Sequence, residues 1–183
     1  IIPVVVKKKN ISVGVLGLTD NEPGWRAGHG PGTNYLDLND LQDKNQVLQW
    51  IEKLRRETDI VIISIHWGPN MQESPSPMAI NFAHAMIDHG AHIIHGHSAH
   101  ILQGIECYHS GLILYDTGDF VDDYAVDPDL RNDLSAYFVV TADQLGLDTL
   151  KLIPVRIFGY QVNRARQKDY EWVIERLKHL SSP

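Results

Sequence analysis

Ala91-His92-Ile93-Ile94-His95-Gly96-His97-Ser98-Ala99-His100 begins as an apolar run and ends in a cluster of imidazoles. Ile93 and Ile94 read as the end of a buried strand, which is expected to empty at His95 into a loop that Gly96 allows to turn. In open α/β sheets the loops beyond the carboxyl ends of the strands form the binding crevice, because side chains there project from a rigid frame. Imidazole is the commonest protein ligand for zinc and related metals, so His97 and His100 on such a loop are candidate ligands. A single loop histidine is usually a solvated side chain. Grouped at one strand end, His95, His97 and His100 point to a common task.

Working outward, Asp59-Ile60-Val61-Ile62-Ile63-Ser64-Ile65-His66-Trp67-Gly68 is a nearly continuous β-branched run, the pattern of a strand covered on both faces, and it ends in a fourth imidazole. Between the two strands, residues 78–89 have helical periodicity, with Ile80, Ala83, Met86 and Ile87 on one side and Gly90 as the C-terminal stop. This is a strand-helix-strand unit. If its strands are parallel neighbours, as the right-handed crossover rule favours, His66 opens at the same sheet edge as His97 and His100, and the three can share one ion.

His66-Trp67-Gly68, the run from Gly90 to His100, and Tyr115-Asp116-Thr117-Gly118-Asp119-Phe120 together resemble the bacterial capsule-synthesis proteins of the poly-gamma-glutamate, CapA-like family. That family is a branch of the calcineurin-like metallophosphoesterase superfamily. The resemblance runs from about Ile11 almost to the C-terminus and covers only the second half of the family's domain. It implies the C-terminal half of a four-layer αββα sandwich, with a missing N-terminal half of the same domain as its partner. It also implies divalent metal, Mn, Zn or Fe, with two ions in the full-length parent. His66, His97 and His100 carry over as metal ligands and His95 as a proton donor or a residue behind the ligands. The family's remaining ligands, an early aspartate, an acidic residue and an Asn-His pair, are absent from these residues. Ser98-Ala99 stands where many members have His-Pro, and Asp119 stands where many have asparagine.

Asp119 has a role on its own chemistry as well. A carboxylate near a metal-bound histidine orients it through the free ring N–H, while an aspartate in a turn often bonds only to its own backbone. Asp20 and Glu22 leave another strand and are placed to face the site. His84, His89 and His92 fall on the helix or before the strand end and read as structural. Asp122, Asp123, Asp127 and Asp129 lack the glycine and terminal glutamate of an EF-hand, so a calcium loop is a weak reading there. Arg131 is expected to meet one of these aspartates or an anionic substrate.

The 183 residues suit one domain or part of one, and 43% hydrophobic content suits a globular core. A net charge of −7 argues against a nucleic-acid surface but not against an anionic polymer or phosphoester substrate, because a bound metal supplies local positive charge. The lone Cys107 excludes an intrachain disulfide and a thiolate zinc site, and it reads as a small apolar strand residue. No stretch approaches the roughly 20 apolar residues of a membrane helix. The chain starts at Ile1, so its compartment, cytoplasmic or extracytoplasmic, is left open, as is any membrane attachment.

The remaining segments complete an α/β fold of mixed β-sheets flanked by helices. A hairpin is expected over residues 2–18 with Lys8-Lys9-Asn10 as a solvated turn, followed by a glycine-rich connector over 19–34 that is either a lid or a plain loop. An amphipathic helix follows over 40–58 with Val47, Leu48, Ile51 and Leu54 buried. A hairpin over 101–116 turns at His109-Ser110-Gly111, and a second, over 135–158, turns at residues 143–146. A final helix over 167–180 buries Tyr170, Val173, Ile174, Leu177 and Leu180. Three functions fit: a two-metal hydrolase attacking a phosphoester or an amide, a mononuclear zinc hydrolase with Asp119 as base, and a non-enzymatic accessory protein of capsule or polymer assembly.

Overall fold

The structure, a computed structural model, describes residues 3–143 and 145–181. The opening hairpin pairs β1 (Val4–Lys8) with β2 (Ile11–Thr19), Val6 opposite Val13. Helix α1 (Leu41–Glu57) starts where the Asp40 carboxylate accepts from the Gln42 N–H and ends with Arg55 and Arg56 against its negative terminus. It buries Val47, Ile51 and Leu54, the stripe its periodicity predicts. Strand β3 (Ile60–His66), helix α2 (Pro77–Asp88) and strand β4 (Ile93–His97) form the expected strand-helix-strand unit. The Ser76 hydroxyl caps α2, Pro77 occupies its first turn, and Gly90 with φ of 110° carries the chain out of it.

Strands β5 (Ile105–Tyr108) and β6 (Gly111–Leu114) make a hairpin shorter than the pattern over 101–116 suggests. The large sheet has the order β1-β2-β3-β4-β6-β5, in which β2, β3, β4 and β6 are parallel and the two edge strands antiparallel. A three-stranded antiparallel sheet follows: β7 (Leu134–Asp143), β8 (Gly146–Phe158) and β9 (Gln161–Arg164). Gln144, in the expected turn after β7, lies outside the described residues. Helix α3 (Gln167–Leu180) packs Val173 and Leu177 against Leu134, Ala136 and Leu102. No helix among the described residues is long and apolar enough to cross a membrane.

The main core lies between the large sheet and α1 and α2, where Val61, Ile63, Ile65 and Ile94 meet Ile51, Leu54, Phe82 and Met86. Alternation along the strands sends the other residues, Ile62, Ser64 and His66 on β3 and Ile93, His95 and His97 on β4, to the opposite, inner face. That face and β7 bound a cavity of about 710 Å³, lined among others by Ile62, Ile93, His95 and Leu114. Ser135, Ala136, Tyr137 and Phe138 all border it, so β7 meets the cavity with its edge rather than one face.

Three expectations change, and one strand is new. Strand β4 does not end at Ile94 but continues through His97, because Gly96 fits within the ladder, and the turn comes at Ser98 and His100, with φ of 137° and 63°. Cys107 sits in β5 as predicted but is exposed, since that edge strand has one face in solvent. Tyr170 is 47% exposed because it lies in the first turn of α3, at the outer end of the stripe it shares with Val173 and Leu177. Strand β9, four residues with little apolar content, had no pattern to announce it.

Candidate functional site

Three neighbouring parallel strands end at one edge: Thr19 on β2 is in register with His66 on β3, and His66 with His97 on β4. The rows continue just past the strands, where Asp20 N–H donates to His66 C=O and Trp67 N–H to His97 C=O. Parallel pairing thus puts the two imidazoles on one face, with ring centroids 5.3 Å apart in an edge-to-face arrangement. His95, one pleat deeper on the same strand, lies 5.2 Å from His97. Its Nε2 meets Thr117 Oγ1 at 3.2 Å and its Nδ1 meets Ser64 Oγ at 3.5 Å. Both its nitrogens therefore have partners.

His97 Nδ1 does not; it is buried with no hydrogen-bond partner. Burial, reinforced by His95 and His66 nearby, holds its conjugate acid down at about 4. The ring is neutral at neutral pH and presents a free lone pair, the state a metal ligand requires. Asp20 adds a carboxylate beside His66, both of whose oxygens lie within 3.2 Å of Gly68 N–H. Burial raises its pKa, while the Gly68 N–H and His66 oppose that rise. Asn21 Nδ2 donates to Ser98 Oγ at 3.0 Å, and Ser98 donates to Gly68 C=O, so the exits of all three strands are tied together.

His100 is placed differently. Its Nδ1 lies 2.8 Å from Asp119 Oδ1, the orienting contact considered for that carboxylate, and its ring sits edge-on to Tyr124. Asp119 is pushed up to about 7 by burial and by Asp122, against the pull of His100. Asp119 Oδ2 and Asp122 Oδ2 are both buried without a hydrogen-bond partner. Among the described residues no group of three or more His, Cys, Asp or Glu side chains is placed to hold a metal ion. The structure thus brings His66, His97 and His95 together and turns His100 toward Asp119. The donor set fits a metal in part: His66 and His97 are preorganised, and His97 has a buried nitrogen with no hydrogen-bond partner among the described residues.

The other assignments resolve simply. Glu22 begins a short 3-10 turn, Pro23–Trp25, with φ of 60°. His84 pairs with Glu106, His89 with Glu52, and His92 Nδ1 accepts from Val61 N–H, so all three are structural. Arg131 meets Asp133 and Asp169, neither of them among the aspartates the sequence suggested. Asp127 spends one carboxylate oxygen on the N–H groups of Asp129 and Leu130. Thr117, Ser64 and Asn21 went unnoticed in the sequence, because only strand order reveals that β2 and β6 flank the histidine strands.

Asp116 supports the loop from below. Its Oδ2 accepts from Ala99 N–H at 2.7 Å and its Oδ1 from Gly118 N–H at 2.8 Å, yet burial pushes the carboxyl up to about 6. A raised carboxyl favours the folded state most when protonated, and that contribution is lost as pH rises from about 4 through about 6. The stability difference between the wild type and Asp116→Asn is therefore expected to change by about 2 kcal/mol between roughly pH 4 and pH 7. Urea unfolding across that range checks it, and parallel profiles would refute it.

The sequence profile of the family "Bacterial capsule synthesis protein PGA_cap" matches residues 2–124. A probable polyglutamine synthesis accessory protein of Mycobacterium tuberculosis is 36% identical over 132 residues, covering 69% of this chain and 35% of that protein. The chain thus spans about a third of the length of that relative. Among solved structures, a putative 5'-nucleotidase from Staphylococcus aureus superposes with a TM-score of 0.50 at 15% identity, over 97% of this chain and 33% of that one. The Thermus thermophilus sulfate thiohydrolase SoxB gives 0.53 at 12% identity, over 97% and 28%. At such identities these likenesses show the fold alone.

Proposed function

This chain belongs to the bacterial capsule synthesis protein family PGA_cap, and from that membership we propose that it carries the histidine side of a divalent-metal hydrolase centre used in capsule-polymer synthesis. The observation that carries the reading is the His66–His97 pair at the ends of adjacent parallel strands, with His97 Nδ1 buried, neutral and unpartnered. His66 and His97 would hold the ion, with Asp20 beside them. A bound divalent ion would polarise a phosphoryl or acyl oxygen and lower the pKa of a water, giving attack on a phosphoester or an amide. His95, fixed between Ser64 and Thr117, stands behind the ligand pair as a proton donor or a brace. Asp119 fixes the ring of His100 at Nδ1 and leaves its Nε2 for the substrate or the ion.

The relative's length supports a further part of this reading. The inner sheet face and the unpaired edge of β7 bound the 710 Å³ cavity, and the remainder of such a domain would cover the face and add strands to that edge. That remainder would also complete the ligand set. A second reading, a non-enzymatic accessory role, is favoured by the lack of a three-ligand group among the described residues and by the accessory name of the Mycobacterium relative. Metal content separates the two. In the full-length parent, His66→Ala and His97→Ala are each expected to lower retained Mn²⁺ or Zn²⁺ by at least tenfold while circular dichroism is unchanged. Equal metal in wild type and variants, or none in any, would favour the accessory role.

A further inference from the structure

Helix α3 carries Trp172 and Arg176 four residues apart, hence on one face. The Arg176 guanidinium sits 5.8 Å from the Trp172 ring centroid, and its side chain is only 15% exposed. Its Nε and Nη2 are both buried and neither makes a hydrogen bond. These two donors form the coplanar fork that arginine uses to grip a carboxylate in two places. Arg131, whose guanidinium also lies near this indole, shows what a filled fork looks like: its Nε and Nη2 reach the Asp133 carboxylate at 2.7 and 3.0 Å. The fork of Arg176 is empty by comparison. A buried charged donor left unmade is costly, so such a group calls for an explanation.

One acceptor stands near it. Glu73 Oε1 lies 3.5 Å from Arg176 Nη2, close enough for attraction but off the hydrogen-bond line, and the Glu73 side chain is 53% exposed. Glu73 is thus paired with Arg176 by charge without being seated in its fork. The loop that bears it is tied to the histidine loop at two points: Met71 N–H donates to Ala99 C=O at 2.8 Å, and Gln103 Nε2 donates to Gln72 C=O at 2.7 Å. These ties bracket His100.

We propose that Arg176, backed by Trp172, is a binding site for a ligand carboxylate, and that Glu73 is its exchangeable gate. A ligand carboxylate takes both fork donors and displaces Glu73 toward solvent. Because the Glu73 loop is bonded to residues on either side of His100, occupation of the fork would reach the strand-end site through that loop. The binding step does not depend on the metal reading and can succeed or fail without it.

The test is a titration of the chain with glutarate, acetate and inorganic phosphate, followed by the Nε–Hε resonance of Arg176 in nitrogen-15 spectra. That resonance is assigned by its loss in Arg176→Lys. Glutarate is expected to move the signal saturably, and Glu73→Ala, which removes the competing carboxylate from an exposed position, is expected to tighten binding about tenfold. In calorimetry Arg176→Lys, which keeps the charge but lacks the fork, is expected to lose the binding. A fork indifferent to carboxylates in both wild type and Glu73→Ala would overturn the proposal, as would retained affinity in Arg176→Lys. Tighter binding of phosphate than of either carboxylate would overturn the assignment of ligand class.

Discussion

Gly96→Ala lowers the stability of the fold by about 3 kcal/mol or more, read as a fall in the urea midpoint at unchanged slope. A Cβ on Gly96 would lie 1.9 Å from Tyr115 C=O and 2.6 Å from Trp67 Nε1. Neither neighbour can give way, because Trp67 Nε1 donates to that same carbonyl at 2.9 Å, with both groups buried, and Thr117 N–H is bonded to Gly96 C=O. The added methyl must either break the Trp67 bond or part β4 from the chain leaving β6. Since His97 follows directly, any Mn²⁺ or Zn²⁺ held at the proposed site should fall along with stability. A variant with wild-type midpoint would show that the close approach of the two backbones is not a requirement of the fold.

Asp133→Ala destabilises by about 3 kcal/mol, by a different route. The Asp133 side chain is 3% exposed and lies between two guanidiniums, held by Arg131 at 2.7 Å with Arg156 Nε 3.1 Å away. Arg156 Nε is off the hydrogen-bond line, so Arg131 makes the stronger bond and Arg156 contributes mainly charge. Both arginines also reach Asp169 on α3, which closes an alternating ring of two cations and two anions joining the small sheet to the helix. Deleting Asp133 leaves two partly buried cations with one anion. Arg156 is 41% exposed and is screened by water, which keeps the loss at the low end for a broken buried pair. Asp133→Asn should recover part of the loss by accepting from Arg131, and an Asp133→Ala protein as stable as wild type would remove the ring from the account of how α3 is anchored.

The large sheet was legible because its strands announce themselves. The β-branched run of β3 and the periodicity of α1 and α2 each have one dominant reading, and the placement of His66 beside His97 follows from the crossover rule. The strand end at His97 was harder. A glycine between two histidines resembles a turn, and only the carbonyl of Tyr115, distant in sequence, shows that Gly96 is there for closeness. Likewise His100 looks equivalent to His97 along the chain, yet its positive φ and its bond to Asp119 direct it elsewhere. The polar partners of His95 and the empty fork of Arg176 depend on side chains from separate elements, and no local pattern encodes them.

The row Thr19, His66 and His97 also acts as a check on assembly. Along β3 and β4, alternate residues face either the packed helices or the inner side, so slipping one strand past the other by a single residue would exchange the two sets. His95 and His97 would then be driven among Ile51, Leu54 and Met86, while Ile94 would surface. Each misplaced imidazole would enter an apolar core without its partners, a penalty that mispaired strands bearing only valine and isoleucine would escape. The residues proposed to do chemistry thus also mark the one alignment of three parallel strands in which that chemistry is assembled.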